Sequence, residues 1–313
     1  MTCASPEEPM KAAIYIRRSS GKCLELVDID PPVPRKREVL IKTYAASVNP
    51  LDWRLKSHHP GVDVAGEIVS VGSAVTRFNR GDKVFGVGRG SFAEYVCATE
   101  SKVAAKPDNI TFEEAASVPI AGLTALQGLR DKGNLAPGHK VLINGAAGGV
   151  GTFAVQIAKA FGTEVTGVCS TKNVKMVRSL GADVVVDYTQ QDFTRDPKRY
   201  DLLLDNVGNR TLAELRRVLA PRGRCVLAGA PKQLGPILLR MLDAVVRSTF
   251  LRQKFVFFIA RFRQADMELL GTLMHTGKIH PIIDRQYLLN DTGEAVAYAE
   301  AGHARAKVVV IPD

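Results

Sequence analysis

A glycine-rich turn carries the first recognisable chemistry of this sequence. The run Val141-Leu-Ile-Asn144 reads as a strand, Gly145-Ala-Ala-Gly148-Gly149-Val150-Gly151 follows, and Val150, Phe153, Ile157 and Phe161 then recur at helical spacing. A strand, a Gly-rich turn and a helix in that order aim unpaired backbone N–H groups and the positive end of a helix dipole at one point, where they can hold a pyrophosphate. A tight turn that only lets the helix pack closely is the competing reading. Four further strands behind this one favour dinucleotide binding, with Gly148, Gly149 and Val150 as cofactor contacts.

The end of the second strand decides which dinucleotide. Proteins that bind NAD usually place Asp or Glu there, where a carboxylate accepts from the ribose 2′-OH. This chain has Cys169-Ser170-Thr171-Lys172-Asn173. With no carboxylate in that segment, and a hydroxyl and an ammonium in it, a 2′-phosphate is the better fit, so NADPH is expected through Ser170, Lys172 and Asn173. Tyr188, after the third strand, either joins this phosphate pocket or packs on the surface. Asn206 and Gly229, which follow the fourth and fifth strands, complete the cofactor-binding candidates of this sheet.

The elements that position these residues fall into two textures. From Lys11 to about Lys106, short β-branched runs alternate with Gly, Pro and Asp: Ala12 to Ile16, Glu38 to Tyr44, Gly66 to Val71, Lys83 to Gly86 and Ala93 to Cys97 read as strands of an irregular antiparallel domain. Thr111-Phe-Glu-Glu114 is a capping box opening a helix, which Pro119 kinks or ends before a second helical stretch, Ala121 to Arg130. Strand and helix patterns then alternate through Lys140 to Asn144, Glu164 to Cys169, Asp183 to Asp187, Asp201 to Asp205 and Arg224 to Ala228, the mark of a parallel sheet with crossover helices. After Pro236 a helix-like run leads to an edge strand at Lys254 to Ile259; Met267 to Thr276 reads as a helix, and Glu294 to Ile311 as a helix and a strand.

The expected fold is therefore α/β: a doubly wound parallel sheet of Rossmann type over 116–269, inserted near the C-terminal end of a β domain made of 10–115 and 270–313. A chain of 313 residues, 46% hydrophobic and 24% charged, has the size of two such domains. Its longest apolar run, Phe255 to Ala260, falls far short of the roughly 20 residues of a membrane span. Residues 1–9 read as an extension outside the fold, without the features of a secretory or transit segment. The five cysteines, Cys3, Cys23, Cys97, Cys169 and Cys225, show no CxxC spacing, which speaks against a disulfide framework and a structural zinc lobe and points to the cytoplasm or a reducing organelle interior. The net charge of +10 suits a phosphate-bearing partner, but no helix carries a continuous basic stripe and nucleic acid is not expected.

A set of motifs then makes the chain resemble the quinone oxidoreductase-like branch of the medium-chain dehydrogenase/reductase superfamily. They are Ser47-Val-Asn49-Pro50-Leu-Asp52, Gly61-Val-Asp-Val-Ala-Gly66, Gly81-Asp-Lys-Val-Phe-Gly86, Gly90-Ser-Phe-Ala-Glu-Tyr95, Gly122-Leu-Thr-Ala125, Gly148-Gly-Val-Gly151 and Gly302-His-Ala-Arg-Ala-Lys307, and the resemblance spans residues 10–313. It implies a GroES-like domain in place of the generic β domain. Zinc alcohol dehydrogenases of the superfamily carry a Cys ligand where this chain has Asn49, and Gly-His-Glu where it has Gly61-Val62-Asp63, so no metal is expected; the adjacent His58 and His59 cannot complete a site alone.

Without a Lewis acid to ionise an alcohol, the resemblance implies hydride transfer to an electron-poor carbon of an enone, alkenal or quinone, with charge building on a carbonyl oxygen that needs donors. It points to Asn49, Asp52 and Arg54 at the nicotinamide and substrate, and to Thr124 beside the nicotinamide. Asn49 either donates a hydrogen bond or fixes the turn before Pro50, Lys307 either reaches the cofactor or is a surface lysine, and the proton comes from Tyr44, from Asp52 through water, or from solvent. The loops between Lys56 and Gly61 and between Gly86 and Gly90 are shorter than relatives usually have, which leaves substrate size open. An enoyl-thioester reductase, and a low-activity NADPH-binding protein acting through protein, RNA or membrane contacts, are the alternatives. A homodimer formed through the edge strand at Lys254 to Ile259 is expected.

Overall fold

The computed structural model describes residues 8–18, 21–228, 243–244, 252–302 and 304–312. Gly229, most of the helix-like run after Pro236 and most of the N-terminal extension lie outside the described residues. The chain divides into two compact units, one formed by Met1–Ile120 with Phe262–Asp313, the other by Ala121–Arg261.

In the first unit, β1 (Met10–Arg18) and β2 (Gly21–Ile29) form an antiparallel pair. Next come β3 (Glu38–Ser47), α1 (Pro50–Leu55), β4 (Asp63–Val71), β5 (Lys83–Val87), β6 (Tyr95–Thr99), β7 (Val103–Ala105) and α2 (Phe112–Ala116). The strand β2 was not legible in the sequence because its apolar phase switches midway. Leu24 and Leu26 pack into one cluster, with Val48, Phe92 and Val310, while Val27 and Ile29 pack into another, with Met10 and Ile14. No single alternation therefore marks the strand.

The strand β3 organises the unit. It pairs antiparallel with both β4 and β6, and buries Val39 and Ile41 against Val64, Ile68, Val84 and Val96. Register shifts at Leu40/Ile41 and Thr43/Ala45 bend it, and beyond the second shift Ser47 comes opposite Asp63. The capping box at Thr111 and Glu114 forms as expected, opening α2.

The second unit begins within α3 (Pro119–Gln127): α2 has ended at Ala116, as expected, and Pro119 itself opens the second helical stretch, as its missing N–H and fixed φ allow. It continues through β8 (Lys140–Asn144), α4 (Gly149–Ala160), β9 (Glu164–Cys169), α5 (Val174–Ser179), β10 (Val184–Asp187), β11 (Tyr200–Asp205), α6 (Leu212–Arg217), β12 (Leu219–Leu227) and β13 (Lys254–Phe257). The six strands are all parallel, in the order β10-β9-β8-β11-β12-β13. The order reverses between β8 and β11, the topological switch point where an open α/β sheet leaves a crevice at the carboxyl ends of its strands. The expected edge strand is β13. Gly162, at φ 74°, ends α4 in the left-handed region.

The chain then returns to the first unit with α7 (Gln264–His275), β14 (Ile283–Leu288), α8 (Thr292–Glu300) and β15 (Lys307–Ile311). A domain boundary at 269/270 would cut α7 in the middle; the helix lies whole in this unit and packs on β7. The strand β15 joins β3 to β14 and completes the order β14-β15-β3-β4-β5-β7, with β6 also on β3. The polar sequence of β14, Ile-Asp-Arg-Gln-Tyr-Leu, fits an edge position and concealed it from sequence reading.

Candidate active site

At the end of β3 the first unit builds a buried polar cluster. Asn49 caps α1, its N–H donating to Asp52 Oδ2 at 2.7 Å, and Pro50 follows in the first turn. The other Asp52 oxygen accepts from Gly61 N–H at 2.9 Å, so one carboxylate ties the helix start to the loop after it. Asp52 is 3% exposed, and burial pushes its carboxyl up to about 6, against the opposing pull of these two backbone donors.

Asp63, fully buried, receives three hydrogen bonds: from Ser47 Oγ and Asn49 Nδ2, each at 2.9 Å, and from Ile120 N–H at 3.1 Å. Lys307, the first residue of β15, is also buried. Its Nζ donates to Val48 O at 3.0 Å and Asn49 Oδ1 at 2.8 Å, and lies 3.6 Å from Asp63 Oδ2. Burial pushes the carboxyl up and the ammonium down, while each holds the other charged. The surface reading of Lys307 is thereby overturned: three acceptors inside the unit surround the ammonium.

Asn49 spends its side chain within the cluster. Its Nδ2 donates to Ser47 O at 3.2 Å and to Asp63, and its Oδ1 accepts from Lys307. Arg54 stands exposed in the last turn of α1. The structure does not bring Tyr44 into the cluster. Its ring lies 4.6 Å from that of Phe112 on α2, with the Lys42 ammonium 5.8 Å from its centroid.

Sequence reasoning missed three members of this neighbourhood, Ser47, Asp63 and Tyr15. The first two stand in the quoted motifs, and the signal was their facing position across β3 and β4. Tyr15 on β1 carries no sequence signal; burial raises its pKa first and the Asp52 charge second.

The two short loops meet each other. Gly90 N–H donates to Gly61 O at 3.0 Å and Gly88 N–H to Val62 O at 2.8 Å. Gly61 sits at φ 88°, and a Cβ there would come 2.6 Å from Ser91 Oγ and 2.7 Å from Phe92 N. His58 lies beside them, Nδ1 3.1 Å from Tyr15 O, with the His59 ring edge-on to it. Among the described residues, no three His, Cys, Asp or Glu are grouped so as to hold a metal ion.

The second unit places its candidates at the carboxyl ends of the strands. Gly148 N–H donates to Gly145 O at 3.1 Å, closing the turn, and a Cβ on Gly151 would lie 2.0 Å from that same oxygen, so only glycine lets α4 start this close to the turn. Across the switch point, Asp205 accepts from Asn144 Nδ2 at 2.9 Å and from Gly208 N–H at 3.0 Å and shapes the loop after β11. Both polar side-chain atoms of Asn206 are buried without a hydrogen-bond partner, as is Asn173 Oδ1. Such orphaned groups need an explanation, and a ligand is one. Gly-rich turn, switch point and orphaned amides together fit a dinucleotide.

Beyond β9, Asn173 Nδ2 donates to Ser170 Oγ at 3.2 Å, and Lys172 is exposed. Tyr188 is 55% exposed, and its N–H donates to Cys169 O at 3.0 Å, which sets it beside Ser170. The expectation of a pocket without a carboxylate requires a correction. Asp187, on the neighbouring strand β10, accepts from Thr171 Oγ1 at 2.5 Å and from Thr189 Oγ1 at 2.8 Å. The Thr171 hydroxyl leads the contacts that hold its carboxyl below the usual range. The second-strand segment carries no acid, but the sheet brings one from the third. Thr124 is half-buried on α3.

Comparison with known proteins agrees with both units. A family model described as "Alcohol dehydrogenase GroES-like domain" matches residues 35–108, and one described as "Zinc-binding dehydrogenase" matches residues 180–310. The chain is 33% identical to the chloroplast envelope quinone oxidoreductase homolog of Arabidopsis thaliana, over 92% of this chain and 94% of that one. It is 32% identical to the NADPH-dependent alkenal/one oxidoreductase of the same plant, over 99% of this chain and 81% of the relative. The solved quinone oxidoreductase of Coxiella burnetii superposes with a TM-score of 0.84 at 31% identity, covering 97% of this chain and 99% of that structure. A Rossmann unit with a GroES-like unit, a dinucleotide-type switch point and these likenesses over nearly the whole length lead to one conclusion: the chain belongs to the quinone oxidoreductase-like branch of the medium-chain dehydrogenase/reductase superfamily and is an oxidoreductase that depends on a nicotinamide cofactor.

Proposed function

We propose that the chain uses NADPH to reduce an activated double bond, of an enone or alkenal, or a quinone, without a metal ion. The observation that carries the metal-free part is Lys307. Its ammonium contacts Asn49 and Asp63, which stand where zinc relatives carry Cys and Glu, and a fixed cation there opposes a divalent metal as much as the lack of thiolate and imidazole ligands does. NADPH is supported by Ser170, Lys172 and Tyr188 beyond β9 and β10; Asp187 sets a limit on that preference.

When bound, the cofactor supplies hydride to an electron-poor carbon. Gly148 closes the turn with its own N–H, Gly149 and Val150 offer backbone N–H groups to its pyrophosphate, Asn206 and Thr124 offer side chains to its nicotinamide half, and Arg54 donates to the substrate oxygen as charge develops. Asn49, Asp52 and Lys307 act one step back: their polar atoms satisfy one another, so they hold the loop from Ser47 to Arg54 in place. With Tyr44 packed at a tilt against Phe112 and Asp52 held by backbone donors, the final proton comes from solvent.

The relatives named for quinones and for alkenals support the substrate class, and chloroplast relatives support a reducing organelle interior as one location. Among the described residues, no helix is long and apolar enough to cross a membrane. Among the described residues β13 is the last strand in the sheet order, which is where a homodimer would pair, and light scattering that shows only monomer at micromolar concentration would remove the homodimer from this proposal.

The test is the loss of NADPH absorbance with a quinone, a short enone, an alkenal and an enoyl-thioester, with NADH in parallel. Turnover of the first three with NADPH ahead of NADH is the expected result. Preference for the thioester would move the assignment to that class, and tight NADPH binding with no turnover would make the chain a non-catalytic binding protein.

A further inference from the structure

We propose that a cavity at the N-terminal edge of the six-stranded sheet binds a small phosphate-bearing anion, at a site separate from the dinucleotide end. The cavity has a volume of about 420 Å³ and is lined by Arg199, Ala213, Arg216, Arg217, Leu219 and Gln253. Arg199 precedes β11, Leu219 opens β12, Gln253 precedes β13, and the other three lie on α6. The Gly-rich turn, in contrast, follows the carboxyl end of β8. In a parallel sheet these are opposite edges, separated by a strand length of about 17–20 Å.

Charge supports an anion. The second unit holds 21 Lys and Arg against 10 Asp and Glu, whereas the first holds 21 against 22, so the entire basic surplus belongs to the dinucleotide-type unit. A 2′-phosphate pocket around Lys172 accounts for one of these cations; it leaves three arginines together at the far edge unexplained.

The donors are prepared for a ligand. Arg199 Nη1 is fixed by the carbonyl oxygens of Asp196, Pro197 and Lys198, and Arg216 Nε by Gln253 Oε1 at 3.0 Å. Gln253 Nε2 in turn donates to Leu219 O and Ala220 O, each at 3.2 Å, and covers Arg216 O at the end of α6, so an amide rather than a guanidinium caps those carbonyls. Among the described residues, no carboxylate pairs with Arg199, Arg216 or Arg217. A guanidinium offers a planar fork of N–H groups that matches phosphate oxygens two at a time. The volume falls within the range of small-molecule sites, roughly 300–1,000 Å³.

The experiment is calorimetric titration of the full chain with inorganic pyrophosphate, and separately with ribose 5-phosphate, in saturating NADPH so that the dinucleotide end is occupied. One binding event is expected, weakened by about tenfold or more, near 1.4 kcal/mol, in the double variant Arg216→Ala with Arg217→Ala. Unchanged NADPH affinity shows that this variant folds, and Arg216→Lys with Arg217→Lys, which keeps both charges, is expected to weaken binding less. Tighter binding of pyrophosphate identifies an inorganic anion, and tighter binding of ribose 5-phosphate a phosphorylated organic molecule; both support the site. No binding of either probe, or equal binding by parent and alanine variant, overturns it.

Discussion

Lys307 Nζ donates a 2.8 Å hydrogen bond to Asn49 Oδ1 across 258 positions of sequence. Through it, the last strand of the chain anchors the loop that leads from β3 into α1, and the same ammonium is the counter-ion of Asp63. Replacing Lys307 by Met leaves a fully buried carboxylate uncompensated, and breaking a pair of this kind costs about 3–5 kcal/mol. Urea unfolding checks this, and adding Asp63→Asn is expected to restore part of the loss; a change below about 1 kcal/mol in the single variant would show that the pair does not hold the unit together.

Asp52 predicts a pH dependence of stability. Its folded pKa, about 6, lies above the ordinary 3.8, so the folded state binds the proton more tightly than the unfolded chain. The associated stabilisation is complete below the lower value and is lost as pH rises toward the higher one, amounting to about 3 kcal/mol between them. Unfolding of the parent and of Asp52→Asn, followed across that window, should show the two curves converging at low pH and separating as pH rises. Parallel curves would place the Asp52 carboxyl at its ordinary value.

Ser170→Asp combined with Lys172→Ala adds a negative charge and removes a positive one where the 2′-phosphate is proposed to bind. NADPH affinity is expected to fall by about tenfold or more, with NADH affinity little changed. Fluorescence titration with both cofactors decides, and an equal loss for the two would relocate the phosphate.

Asp187 supplies the opposite test at the same end of the sheet. Its ionised carboxylate is engaged by Thr171 and Thr189 and opposes a neighbouring phosphate, so Asp187→Asn should tighten NADPH about threefold, relative to NADH, at low ionic strength. Weaker NADPH binding in this variant would instead make Asp187 the residue that holds the Ser170–Asn173 loop in its binding form.

Gly151→Ala probes the turn itself. With Gly145 O only 2.0 Å from the position of the new Cβ, the backbone must move, and dinucleotide binding should be lost or reduced by about a hundredfold. Thermal unfolding separates the causes. A cooperative transition with no cofactor binding locates the effect in the turn, and unchanged binding would remove the turn from the site.

What the sequence determined by itself is local. The strand, glycine turn and helix at Val141 to Phe161, the Thr111 capping box and the parallel-sheet alternation are written in adjacent residues with their own period and turn chemistry, and each appears in the structure. Tertiary structure alone decided the rest, because it concerns groups distant along the chain. Burial and three acceptors make Lys307 an internal cation rather than a surface one. Parallel pairing of β9 and β10 carries Asp187 beside the loop that lacks an acid of its own. Three arginines meet at one cavity because α6 and the starts of three strands share an edge. A residue's type and neighbours limit what it can do, but dielectric, counter-charge and available donors are set by whatever folds against it.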